Sequence, residues 1–204
     1  MRKPVESLET KFQKYKKNLD SCISLLNWED LDRVIYTIET ARRNNRFIFL
    51  CGNGGSNSTA SHFANDLRSL NLKPKYRTVC LNDSTSITCI GNDFGYEECF
   101  SRQLECLLYK DDVVLGISAS GNSPNIVNAL QYANDHEGIP ISLVGFNGGH
   151  VLTRSSIYPD SSIFPTWKNS ICLFTKSPIG SYRVTEDTHM ILTHFIIEVL
   201  SKIK

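Results

Sequence analysis

The sequence predicts an α/β fold with a mainly parallel, doubly wound sheet, and three observations carry that prediction. Five short apolar runs recur along the chain, at residues 46–51, 77–81, 112–117, 139–144 and 169–173. Helical stretches separate most of them. Two of the runs end directly in loops rich in glycine and serine. Short runs that are apolar throughout suit strands buried on both faces, as parallel sheets require. Strands alternating with helices form βαβ units.

In chain order, residues 5–44 read as two helices. Leu19, Ile23 and Leu26 recur at helical spacing, and so do Leu31, Val34, Ile35 and Ile38. Asn27 is placed to cap the second helix, with Asp30 in its first turn. At 46–51 the period changes, and Gly52 ends the first strand. Helices are expected at 57–70, 97–108 and 123–136. A last one is expected at 185–204, with Ile191, Phe195, Ile196 and Val199 on one side. Residues 147–166, punctuated by Gly148, Gly149, Pro159 and Pro165, read as a long loop. A chain of 204 residues suits a single domain, with 1–45 as an N-terminal helical segment and 46–204 as the core.

Composition removes several function classes. A formal net charge of +1 offers no global field for nucleic acid or an anionic membrane. The basic start (Lys11, Lys14, Lys16, Lys17) is interleaved with Glu6, Glu9 and Asp20 and reads as a solvated helix face. The seven cysteines are odd in number, form no CxxC pair and mostly sit among apolar neighbours. They point to a reducing compartment. With no signal-peptide pattern and no apolar stretch near the ~18 residues a span requires, the expected location is the cytoplasm.

In doubly wound sheets ligands bind where the carboxyl ends of strands lead into helices. One such loop is Gly52-Asn53-Gly54-Gly55-Ser56, whose glycines permit positive φ and close approach of a ligand to the backbone. It is not the GxGxxG dinucleotide pattern. The other is Ser118-Ala119-Ser120-Gly121-Asn122-Ser123, followed by Pro124 at the first position of a helix. Three hydroxyls, free amides and the positive end of a helix dipole together suit a phosphate dianion. The triphosphate pattern GxxxxGK[ST] is absent. Two neighbouring loops with a phosphate at one end fit a phosphosugar.

His62 and Asp66, at i and i+4, share one helix face, a spacing that presents two ligands to a metal such as zinc. Glu186 and His194 both lie in the terminal helix, eight residues apart, about 12 Å along its axis. They can share one ion only from the first turn or from different subunits. His136 and His150 have no evident partner, and His189 lies off the His194 face.

These residues resemble a known family. GNGGSxxxAxHFAxxL at 52–67, the 81–103 segment with its NDFGYE core, and GxSxSGNSxN at 116–125 are similar to the SIS (sugar isomerase) domain of phosphoheptose isomerases. The likeness runs from about residue 47 to 200. It implies a five-stranded parallel sheet in a flavodoxin-like, three-layer arrangement, a homotetramer, and active sites at subunit interfaces. It also implies conversion of sedoheptulose 7-phosphate to a manno-heptose 7-phosphate, for lipopolysaccharide or capsule. One Zn²⁺ per subunit would be held by His62, Asp66, Glu186 and His194. Aspartate and glutamate stand at Asp66 and Glu186, where the family pattern has glutamate and glutamine. The ligand charge would then be −2, favouring retention of the ion but weakening it as a Lewis acid. The implied proton-moving groups are Asp66 or Glu186 with His194. Asn53, Gly54, Gly55, Ser56, Asn92, Asp93, Ser118, Ser120 and Ser123 would bind substrate. Two other readings share the motifs: a non-catalytic SIS module that senses phosphosugars, and an isomerase of another phosphosugar.

Overall fold

A computed structural model describes residues 6–155 and 166–203. Two capped helices come first. Ser7 accepts from the Thr10 amide to start α1 (Leu8–Ser24), and Asn27 accepts from the Glu29 and Asp30 amides to start α2 (Trp28–Arg43). The sheet follows, with strands β1 (Phe47–Gly52), β2 (Arg77–Cys80), β3 (Val113–Ser118), β4 (Ile139–Val144) and β5 (Ile171–Phe174). All pairings are parallel and the spatial order is β2-β1-β3-β4-β5.

Side chains alternate across this sheet, and both sides are covered. Ile48, Leu50, Val113 and Leu115 face a layer formed by α2, α3 (Gly55–Ser69) and α8 (Tyr182–Leu200), meeting Leu31, Val34, Phe63, Leu67 and Ile196. Phe49, Cys51, Val114 and Val144 face the opposite layer, meeting Leu104 of α5 (Ser101–Leu107), Ile126 and Leu130 of α6 (Pro124–Asp135), and Trp167. Each buried leucine or isoleucine contributes about 1.5–3 kcal/mol of transfer free energy. The result is the expected three-layer α/β sandwich.

The structure adjusts the element map in four places. Residues 84–93 form α4 (Ser84–Asp93), capped by Asp83, whose side chain accepts from the Ser86 amide at 2.8 Å. The helix expected at 97–108 divides into a 3₁₀ turn (Tyr96–Glu98) and α5. Within 147–166 lies a short helix, α7 (Gly149–Arg154), while 156–165 fall outside the described residues. The terminal helix begins at Tyr182, and its expected apolar side splits: Ile196 is buried, whereas Ile191 and Phe195 face outward. All seven cysteines are unpaired. Burial pushes the Cys172 thiol up to about 12, so it packs as a neutral apolar group. Among the described residues no helix is long and apolar enough to cross a membrane.

The strand order fixes where a ligand binds. Connections run one way from β1 to β2 and the other way from β3 onward, so the crevice opens outside the carboxyl ends of β1 and β3. The two unusual loops leave the sheet at those ends.

Candidate active site

The β1–α3 turn is tight for a steric reason. A Cβ at Gly52 would lie 2.6 Å from backbone atoms of Ser56, so only glycine lets the strand fold back onto the first turn of α3. Gly54 caps α3 at φ +53°, and Ser56 is buried beneath it. Across the crevice, the serine loop is folded on itself. The Gly121 amide donates to Ser118 Oγ at 3.1 Å, and the Asn122 amide to Ser120 Oγ at 3.2 Å. Ser118 Oγ lies 3.4 Å from Ser123 Oγ. Ser123 caps α6 without spending its hydroxyl on the cap, and Pro124 follows as the first helical residue. Gly121, at φ +65°, admits the Gly148 carbonyl where a side chain would collide, so α7 packs directly against this loop. The Val151 amide donates to Gly121 O, and the His150 amide to Asn122 Oδ1.

Between the loops lies a cleft of about 220 Å³, lined by Asn53, Gly54, Ser56, Ser118, Ser120, Ser123, Tyr182 and Glu186, among others. Seven of these eight were singled out from the sequence; Tyr182 was not. Gly55 stands behind the cleft, and the Glu186 carboxylate occupies the space its missing side chain leaves open. Two residues expected at substrate are not among those lining this chain's cleft. Asn92 and Asp93 end α4 in exposed positions, where Asn92 Nδ2 donates to Asp93 Oδ1 at 2.8 Å. Two residues absent from the expected set brace the cleft instead. Asn125 and Tyr96 both hydrogen-bond the side chain of Asn53. Asn125 sits inside the serine-loop motif and Tyr96 inside the NDFGYE core, so a signal was present for both, although only the fold brings them to Asn53.

The metal-ligand candidates form a second group, on the faces where α3 and α8 meet. His62 Nε2 lies 2.9 Å from His194 Nε2 and 3.2 Å from Asp66 Oδ2. Donor atoms of all three fall within 4.8 Å of one another. Bonds of 2.0–2.1 Å to a tetrahedral zinc place neighbouring donors about 3.3 Å apart. Two imidazoles and a carboxylate at these separations therefore fit such an ion, with one position left open. Within this single chain Glu186 stands apart from the other three expected ligands. Its carboxylate lies in the cleft beside Gly55, two helical turns from His194, and among the described residues the cluster within this chain has three members. His189 belongs to neither group. Fully buried, it meets Thr175 Oγ1 at 3.0 Å, and burial pushes it down to about 4, so it is a neutral core residue.

Comparison with known proteins shows the family. The SIS domain model matches residues 11–145. The chain belongs to the SIS domain family. Its curated relatives place it with the phosphoheptose isomerases. The phosphoheptose isomerase of Buchnera aphidicola subsp. Schizaphis graminum is 34% identical over 178 residues, covering 85% of this chain and 83% of that protein. That of Helicobacter pylori strain 26695 is 40% identical over 153 residues, covering 74% of this chain and 79% of the other. Among solved structures, the phosphoheptose isomerase of Neisseria gonorrhoeae superposes with a TM-score of 0.79 at 25% identity, covering 96% of this chain and 97% of that one.

Proposed function

We propose that this isomerase converts sedoheptulose 7-phosphate to D-glycero-D-manno-heptose 7-phosphate, in the cytoplasm, supplying heptose for surface polysaccharide. One observation carries the reading: the serine loop and the Glu186 carboxylate share a single cleft at the switch point. Phosphate donors and a proton acceptor then stand at opposite sides of one small ligand. The names of the curated relatives support the choice of sugar.

The phosphate rests against Ser118, Ser120 and Ser123 at the amino end of α6, where hydroxyl donors and the helix dipole stabilise it. A carboxylate removes the C1 proton of the ketose, and the C–H electron pair becomes the C1=C2 double bond of a cis-enediolate. The carbonyl oxygen takes up a proton; return of a proton to C2 and loss of one from O1 leave the aldose. Glu186 is the carboxylate in this chain's cleft, so it is assigned the transfer, with Asp66 and His194 as the second proton-moving pair. Zn²⁺ held by His62, Asp66 and His194 would supply Lewis-acid polarisation of a substrate oxygen. Assembly into a homotetramer would bring these exposed ligands into an interface between copies.

The test is an isomerisation assay with sedoheptulose 7-phosphate on metal-stripped protein, with and without added Zn²⁺. Zinc-dependent turnover that disappears in His62→Ala is the expected result. Tight binding of the sugar without turnover under any divalent metal would replace the enzyme reading with a phosphosugar sensor.

A further inference from the structure

Asn53 leaves the carboxyl end of β1 and lines the cleft, and its amide is held from two sides. Its Nδ2 donates to Asn125 Oδ1 at 2.9 Å, while Asn125 Nδ2 donates back to Asn53 Oδ1 at 2.9 Å. The Tyr96 hydroxyl donates to the same Asn53 oxygen at 2.9 Å. The orientation of such a pair is decided by a group that can only donate. Here that group is the Ile126 backbone N–H, 3.0 Å from Asn125 Oδ1. It fixes which terminal atom of Asn125 is oxygen. The atom of Asn53 facing that oxygen must then be nitrogen, and its other terminal atom, which receives Tyr96, must be oxygen.

Asn125 itself has no freedom left. It is 1% exposed, and its remaining N–H reaches Cys99 Sγ at 3.4 Å. Two donors and two acceptors are all engaged. Asn53 differs: one of its N–H groups has no partner among the described residues, although the residue borders the cleft. The serine loop supplies the phosphate donors from the β3 side, so a donor on the β1 side serves the other part of the ligand.

We propose that this Asn53 N–H is a fixed donor to the substrate oxygen that becomes negative in the enediolate, and that Asn125 and Tyr96 are positioning residues holding it there. A neutral amide held by the buried Asn125 on one side and the Tyr96 hydroxyl on the other reorients little as charge develops, the condition for stabilising a transition state more than a ground state. The proposal rests on the isomerase reading above.

A double-variant cycle separates the two ideas. Tyr96→Phe removes only a hydroxyl from a ring that is 55% exposed, so folding is preserved. Asn53→Ala should lower kcat by roughly 10²-fold, as loss of an oxyanion donor does. Tyr96→Phe should lower kcat roughly tenfold, the effect of one hydrogen bond, with KM changed less than about twofold. In the Asn53→Ala background Tyr96→Phe should cause no further loss, because its effect passes through Asn53. Asn125→Asp, which keeps the acceptor for Ile126 but loses the donor to Asn53, should repeat the kcat loss. Independent, multiplying losses in an active enzyme, or a loss expressed in KM alone, overturn the Asn53 assignment and leave the isomerase reading intact. A wild-type protein without turnover overturns that reading, and this proposal with it.

Discussion

At Gly55 the missing side chain is what admits Glu186 to the cleft. A methyl group there would overlap the carboxylate, so Gly55→Ala should push Glu186 away from the ligand without straining the backbone. The expected result is a fall in kcat of about 10²-fold, the scale of general acid–base catalysis, with little change in Tm. Retained kcat would remove Glu186 from proton transfer. The phosphate side gives a contrasting signature: Ser118→Ala with Ser120→Ala should raise KM for the phosphosugar at least tenfold, and an unchanged KM would sink the phosphate assignment. These residues differ in how far the sequence alone could place them. Ser118, Ser120, Ser123, Asn53 and Ser56 were legible because each loop is contiguous and follows a recognisable strand. The place of Glu186 was not, since its contact with Gly55 spans 131 positions and depends on how α8 packs on α3. Asn92 and Asp93 stand away from this chain's cleft because the path of α4, which the motif does not give, decides where they lie.

Elements were legible where burial leaves a period, and illegible where it does not. The strands read as continuous apolar runs because helices cover both faces of the sheet. Helix α4 left no such trace, for none of its residues is buried and its start depends on the Asp83 cap. Helix α2 shows a further device that periodicity hides, a charged cluster on its inner side. Glu39 accepts from Arg42 Nε at 2.8 Å, Arg43 Nε at 2.7 Å and the Tyr76 hydroxyl at 2.8 Å. Arg42 Nη1 continues to the Pro74 carbonyl at 2.9 Å, tying α2 to the approach of β2. The Arg42 hydrogen bonds, aided by Arg43 and Tyr76 against the opposing effect of burial, hold the Glu39 carboxyl down at about 2. A carboxylate depressed in the folded state stabilises above its ordinary pKa, and that stability is lost as pH falls from about 4.5 to 2. Denaturant melts across this window should therefore show a decline on the order of 2–3 kcal/mol that is absent from Glu39→Gln. A decline of the same size in the variant would assign the acid sensitivity to other groups. Glu39→Gln should also be less stable at neutral pH, because it leaves Arg42 buried beside a neutral partner.

At the scale of the whole molecule, one face of the chain carries several large exposed apolar side chains. Trp28, at the start of α2, is 59% exposed and meets Phe195 of α8 edge-on, ring centroids 6.4 Å apart. Phe195 is 43% exposed, and Ile191, one turn earlier on the same helix, is 41% exposed. Leu25 adds a further exposed apolar side chain just before α2. Adjacent large apolar groups on an outer face mark a surface that another molecule covers. His194 lies between Ile191 and Phe195 in the sequence and joins His62 and Asp66 in the exposed cluster. Covering the apolar face with a second copy would also take the metal-ligand candidates out of water. Assembly and activity should then fail together. Sedimentation of the wild type is expected to give a tetramer, and Phe195→Asp a smaller species with its circular dichroism spectrum preserved. The variant should also lose turnover, although Phe195 lines no part of the cleft. A monomeric wild type would refute the interface outright. A dissociated but fully active Phe195→Asp would show that each chain completes its own site, and that the apolar face serves assembly alone.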